Sequence, residues 1–133
     1  MIPVEVRSLV LDASVIARWI WQPTEPASAA LRAEFDAGRI SVTVPALVFL
    51  ELLNVAGRQV RWRGQVLSDF ADRLRTMKLD VFDPELDRVA AWVDRGLTVY
   101  DASYVALAER LRLPLVTADD EILRLAPGVA EPL

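Results

Sequence analysis

The sequence predicts an α/β fold: a single domain over residues 1–133, with a central parallel sheet flanked by helices in an α/β/α sandwich. Three observations point there. Short apolar runs of strand length alternate with longer stretches of helical periodicity, the order that parallel sheets with helical crossovers produce. At least two of those runs stop at an aspartate, "SLVLD" at Asp12 and "PLVTAD" at Asp119. The chain, 133 residues and 53% hydrophobic with 26% charged, is long and apolar enough to bury one proper core.

Taken in order, "SLVLDAS" is a buried strand ending at Asp12, and "SVIARWIW" after it is a short helix. Thr24 is placed to cap a helix through "EPASAALRAEFDA", which Gly38 closes. "RISVTV" alternates like a strand. Pro45, tolerated in a first helical turn, opens "PALVFLELLNVAGRQV". Gly64 precedes the helix "QVLSDFADRLRTM", and "KLDVFD" is a short strand. Asp83-Pro84 starts a helix "PELDRVAAWVDR" that ends at Gly96. A helix beginning near Asp101, "DASYVALAERLR", leads into the strand "PLVTADD", and "EILRLA" is a short last helix. No internal repeat, low-complexity tract or linker interrupts the pattern.

Composition removes several chemistries. There is no cysteine and no histidine, so disulfides, thiol nucleophiles, imidazole bases and the usual zinc ligands are absent. A side-chain general base must be a carboxylate or the single lysine, Lys78, and a side-chain metal site must be built of oxygen, which favours magnesium, manganese or calcium. The longest apolar run, "PALVFLELLNVAG", is broken by Glu51 and Asn54 well short of a membrane span, and no signal peptide is evident; a cytoplasmic location is expected. The formal net charge of -4 argues against a nucleic-acid partner, unless four acids are gathered in one metal site, in which case the remainder is formally neutral.

The stretches "VLDAS" (10–14) and "VYDAS" (99–103) each carry an apolar run up to a lone aspartate. Asp12 ends a strand, where an N-cap of the next helix is the plain alternative to a functional role. Glu51 and Asn54 are the only polar residues from Ala46 to Ala56; with Arg58 they form a stripe at i, i+3 and i+7, either a narrow wet face or a glutamate with a local partner. Asp101 opens an apolar helix, where first-turn electrostatics is the alternative. Of Asp119 and Asp120, one caps the last helix and the other faces the crevice, and the strand end favours Asp119 for the crevice. In parallel sheets ligands bind beyond the carboxyl ends of the strands. Four acids converging there, with no cysteine, histidine or lysine nearby in sequence, suit metal-assisted phosphoryl hydrolysis, in which carboxylates hold one or two divalent ions that activate water and stabilise the leaving oxygen.

"LVLDAS", "VPALVFLELLNV" and "GLTVYDASYVALAERLRLPLVTADD" together resemble the PIN domain family, in particular the VapC-type toxins of toxin–antitoxin pairs. The resemblance covers nearly the whole chain, and the third block is its most specific part. Carried over residue by residue, the family's acidic quartet falls on Asp12, Glu51, Asp101 and Asp119, with Ser14, Asn54 and Thr117 in support. The resemblance implies a magnesium- or manganese-dependent endoribonuclease acting on RNA, a homodimer, and inhibition by an antitoxin. Asp12 and Asp101 would be the principal metal ligands, with Asp119 and Glu51 completing the shell directly or through water.

Rival readings are weaker. A phosphoacceptor receiver domain needs a lysine at a late strand, and an aspartyl-nucleophile phosphatase begins Asp-x-Asp, whereas this chain has Asp12-Ala13-Ser14. A non-catalytic PIN-like module that binds RNA or protein is the serious alternative. Trp19, Trp21, Trp62 and Trp92 are expected in the core or a dimer contact, with one of Trp19 and Trp21 bordering a partner groove. Arg58, Arg61 and Arg63 form either a solvated helix end or a phosphate-contacting rim.

Overall fold

In the computed structural model of the protein, which describes residues 5–133, the chain is built around β1 (Arg7–Leu11). The expected domain boundary at residue 1 lies outside the described residues. Leu9, Val10 and Leu11 are wholly buried because β1 pairs on both sides and is covered on both faces. From β1 the chain runs through α1 (Ala13–Trp21) and α2 (Pro26–Asp36) to β2 (Ile40–Val44). It continues through α3 (Leu47–Asn54), a π-helical turn (Val55–Gln59) and α4 (Gly64–Thr76) to β3 (Asp80–Val81). After α5 (Leu86–Asp94) and α6 (Val99–Leu111) come β4 (Leu115–Thr117), α7 (Asp120–Leu125) and β5 (Ala130–Pro132).

Among the described residues five strands form one parallel sheet in the order β3-β2-β1-β4-β5. The chain winds outward from β1 through β2 to β3, then returns to the opposite side of β1 as β4. The order therefore reverses between β1 and β4, which opens a crevice at their carboxyl ends. α6 lies beneath the sheet as a nearly all-apolar helix, with every residue from Ala102 to Ala108 buried. Among the described residues no helix is long and apolar enough to cross a membrane.

Several boundaries differ from the sequence reading. The cap of α2 is Glu25, not Thr24. Pro26 occupies the first helical position, and the Glu25 carboxylate accepts from the Ala27 and Ser28 N–H groups at 3.2 and 2.8 Å. Asp83-Pro84 does not open α5, which begins at Leu86. Asp83 is instead a tie between elements: its carboxylate accepts from the Ala46 N–H at the start of α3, and its carbonyl accepts from Arg110 on α6. α6 begins at Val99, two residues early, because Thr98 caps it by accepting from the Asp101 N–H at 3.1 Å. The helix opened after Pro45 does not run on to Val60; the Val60 N–H bonds to the Val55 carbonyl, five residues back. β5 has no counterpart in the sequence reading. Gly38 and Gly96 do close α2 and α5, with φ of 71° and 113°, a backbone that side chains rarely adopt.

The tryptophans pack into the core, and Trp62, not Trp19 or Trp21, is the one that reaches a surface cavity. Trp19 and Trp92 are buried, Trp19 stacked on Phe35 at 5.3 Å between ring centroids. Trp21 packs in a cluster with Trp62 and Phe70.

Candidate active site

Asp12 is the first residue after β1 and is only 3% exposed. It stands at the N-cap of α1 yet makes no side-chain cap bond. Its two oxygens turn to hydroxyls instead: Ser14 donates to Oδ1 at 2.7 Å, and Thr117, at the end of β4, donates to Oδ2 at 2.8 Å. Each hydroxyl is itself fixed by the turn after β4. The Ala118 N–H donates to Ser14 Oγ at 3.3 Å, and the Asp119 N–H donates to Thr117 Oγ1 at 2.9 Å. With an N–H on its lone pair, each hydroxyl proton is directed at the carboxylate. Ser14 and Thr117 thus bridge the β1–β4 crevice.

Burial nevertheless dominates, and it pushes the Asp12 pKa up to about 6. The two hydroxyl bonds oppose the rise and the negative charge of Asp119 adds to it. Asp119 caps α7, accepting from the Ile122 N–H at 3.0 Å, and its charge reaches both Asp12 and Asp101. One residue therefore does both jobs that the sequence divided between Asp119 and Asp120. The further acid whose charge is felt at Asp101 is Glu121.

Glu51 projects from α3 half-buried, and the Tyr104 hydroxyl donates to its Oε1 at 2.6 Å. Its pKa is raised, first by burial, while the Tyr104 bond opposes the rise and the charges of Asp101 and Asp12 add to it. Asp101 is likewise raised, chiefly by burial and then by Asp119. Tyr104, buried in α6 against three of these acids, has its own pKa pushed further up. Four acids from four elements thus lie within electrostatic reach of one another at the carboxyl edge of the sheet. No cation offsets any of these shifts. Among the described residues none of the four acids forms a salt bridge.

Such a donor set suits a hard divalent cation, since every candidate ligand is an oxygen and the carboxylates destabilise one another without one. Among the described residues no three acids are arranged to enclose an ion directly.

The other predicted residues divide. Asn54 lines a cleft together with Glu51 and Ser14. Arg63 is exposed and braces the π-helical turn, its Nη1 donating to the Gly57 and Trp62 carbonyls at 2.5 and 2.8 Å. Arg58 and Arg61 are exposed. Tyr104 was missed; an aromatic on an apolar helix gives no sign in sequence that its hydroxyl meets a carboxylate 53 positions away.

The PIN domain family model matches residues 9–127. Ribonuclease VapC3 of Pyrobaculum aerophilum is 32% identical over 133 residues, taking in 93% of this chain and 98% of that one. A crystal structure of a protein from Pyrobaculum aerophilum matches with a TM-score of 0.70 at 27% identity, covering 96% of this chain and 89% of that one. A toxin–antitoxin complex from Klebsiella pneumoniae contains the same fold, with a TM-score of 0.65 at 14% identity over 92% of this chain and 95% of that one.

Proposed function

The chain belongs to the PIN domain family, and from that premise we propose that it is a magnesium- or manganese-dependent endoribonuclease toxin, held in check by a cognate antitoxin. The observation that carries this reading is the quartet Asp12, Glu51, Asp101 and Asp119, set around one crevice with no basic side chain to balance it. The identity to a named ribonuclease supports the substrate class. The occurrence of this fold in a toxin–antitoxin complex supports the partner. Homodimerisation is part of the proposal on the strength of the family resemblance, and a cytoplasmic setting on the sequence reading.

In this reading Asp12 and Asp101 hold the ion, with Asp119 and Glu51 completing its surroundings directly or through water. The ion, when bound, neutralises charge on the RNA phosphodiester and makes water a better nucleophile. Ser14 and Thr117 keep both Asp12 oxygens facing the crevice and favour the ionised carboxylate. Tyr104 takes one oxygen of Glu51 and leaves the other to orient water. Asp119 tethers the start of α7 to the same crevice.

Incubating end-labelled single-stranded RNA with the protein in manganese, magnesium or EDTA tests the proposal. Internal cleavage is expected with either ion, none in EDTA, and a loss on the order of 100-fold or more for Asp101→Asn. Expression without antitoxin should slow growth, and Asp101→Asn should relieve it. Intact RNA at saturating manganese would contradict the nuclease and select a non-catalytic PIN-like module.

A further inference from the structure

We propose that the cleft beside Glu51 is a nucleobase subsite, seating an unstacked adenine next to the bond being cut; this inference rests on the ribonuclease reading above. The cleft has a volume of about 730 Å³, within the range of small-ligand sites. Ser14 and Glu51 line it, so it is continuous with the acidic site. Asn54, Gln59 and Tyr100 line it too, and the mechanism above assigns no step to Gln59 or Tyr100.

The π-helical turn explains why those residues meet. On a regular α-helix Asn54 shares its face with Arg58, four positions on. The turn spaces its hydrogen bonds at five, as the Val60 N–H to Val55 carbonyl bond shows, so Gln59 takes the place below Asn54. Gln59 accordingly lines the cleft and Arg58 does not. The wall thereby exchanges a charge for a second carboxamide.

Two carboxamides and an aromatic ring are the chemistry of base recognition. Unstacked RNA bases are held by stacking on aromatic side chains and by hydrogen bonds to their edges. Tyr100 is 61% exposed, a large ring left open to solvent at the cleft. Each carboxamide sets a donor beside an acceptor, matching the amine and ring nitrogen that adenine presents side by side. Glu51 at the same cleft favours a base that offers it an amine rather than a carbonyl, which disfavours uracil. The rest of the wall, Ala13, Ala17, Leu50 and Val55, is apolar and suits the face of a base, whereas a wholly apolar partner would leave both amides without a hydrogen-bond partner.

The test measures binding of fluorescein-labelled hexaribonucleotides of adenine, cytosine or uracil to the full chain in calcium, a hard cation that oxygen ligands accept, followed by fluorescence anisotropy. The adenine oligomer should bind on the order of tenfold more tightly than the uracil one. Tyr100→Leu should weaken all three on the order of tenfold, and Gln59→Leu should erase the adenine preference with little effect on uracil. No binding by the parent protein, equal affinity for all three, or variants that keep the parent's preference would overturn the subsite. A changed oligomeric state in Tyr100→Leu with unchanged RNA affinity would assign the cleft to a second copy of the chain. Cleavage of the same oligomers in manganese separates the two proposals. Equal cutting by parent and variants sinks only the subsite, whereas selective adenine binding with no cutting of any RNA sinks only the nuclease.

Discussion

On the outer surface Arg7 pairs with Glu131 at 2.5 Å and Arg32 with Asp36 at 2.9 Å. At the carboxyl edge of the sheet, by contrast, Asp12, Glu51 and Asp101 feel the charges of other acids and are offset by no cation. The exposed pairs gain little from being paired, about 0–1 kcal/mol each, because solvent already screens them. The crevice acids are where an arginine would matter most, since burial strengthens every charge interaction. The chain has 15 basic residues and places none in contact with the quartet. The difference teaches that the crevice is kept electrically incomplete at a cost in stability, a condition that the proposed cation would correct.

The largest effect that sharpens this contrast is expected from Glu51→Gln. The substitution preserves size while removing one charge from the crevice. RNA cleavage should fall by about 10- to 100-fold, the scale seen when groups that order a metal site are lost. The melting temperature in EDTA should hold or rise, because one source of repulsion is gone. A structural glutamate would behave oppositely, with a lower melting temperature and an unchanged rate per folded molecule.

The next effect concerns pH. The native pKa of Asp12 is about 6, above the ordinary value of 3.8, so the folded state holds the proton more tightly than the unfolded chain. Its contribution to metal-free stability is therefore full below the unfolded pKa and is lost as pH rises through about 6, a change on the order of 3 kcal/mol. Glu51 and Asp101 are shifted in the same direction. Denaturant titrations in EDTA at pH 4.5 and about pH 7 should show Asp12→Asn gaining on the parent as pH rises. A constant difference between the two proteins would break the contrast with the surface pairs.

Smaller effects separate Asp119 from Asp120. Asp119→Asn keeps an effective cap and so should fold normally, yet lose cleavage. Asp119→Ala should in addition lose ~1 kcal/mol of stability with the cap. Asp120→Asn should leave most activity. Denaturant midpoints and cleavage rates on the same samples distinguish these outcomes, and the reverse ranking would move the crevice acid to position 120.

The sandwich was legible because its cause is local: short apolar runs such as "SLVL" and "PLV" suit strands of a covered sheet, and the helices between them announce their periodicity. The four acids were legible as candidates from their places at strand ends and in apolar helices, each with a capping, dipole or wet-face alternative, and the family resemblance joined them into a quartet. What escaped depends on contacts distant in sequence or on a single shifted hydrogen bond. β5 is three residues long and ends in Pro132, and it exists only because β4 offers it a free edge. The tie from Asp83 to Ala46 spans 37 positions, and that from Tyr104 to Glu51 spans 53. The π-helical turn moves Gln59 rather than Arg58 into the cleft, and no periodicity of side chains records it. The double role of Asp119 was hidden by an assumption that a cap and a site residue must be different acids.

The most direct test of the account is the melting temperature of the parent and of Asp12→Asn, each in EDTA and in manganese. An ion that binds only the folded crevice adds about 2.7 kcal/mol at 100 times its Kd. The parent should therefore melt several degrees higher with manganese, and Asp12→Asn should lose most of that gain while melting no lower than the parent in EDTA. A parent protein indifferent to millimolar manganese, or a gain that survives intact in Asp12→Asn, would contradict a cation site built on these four acids.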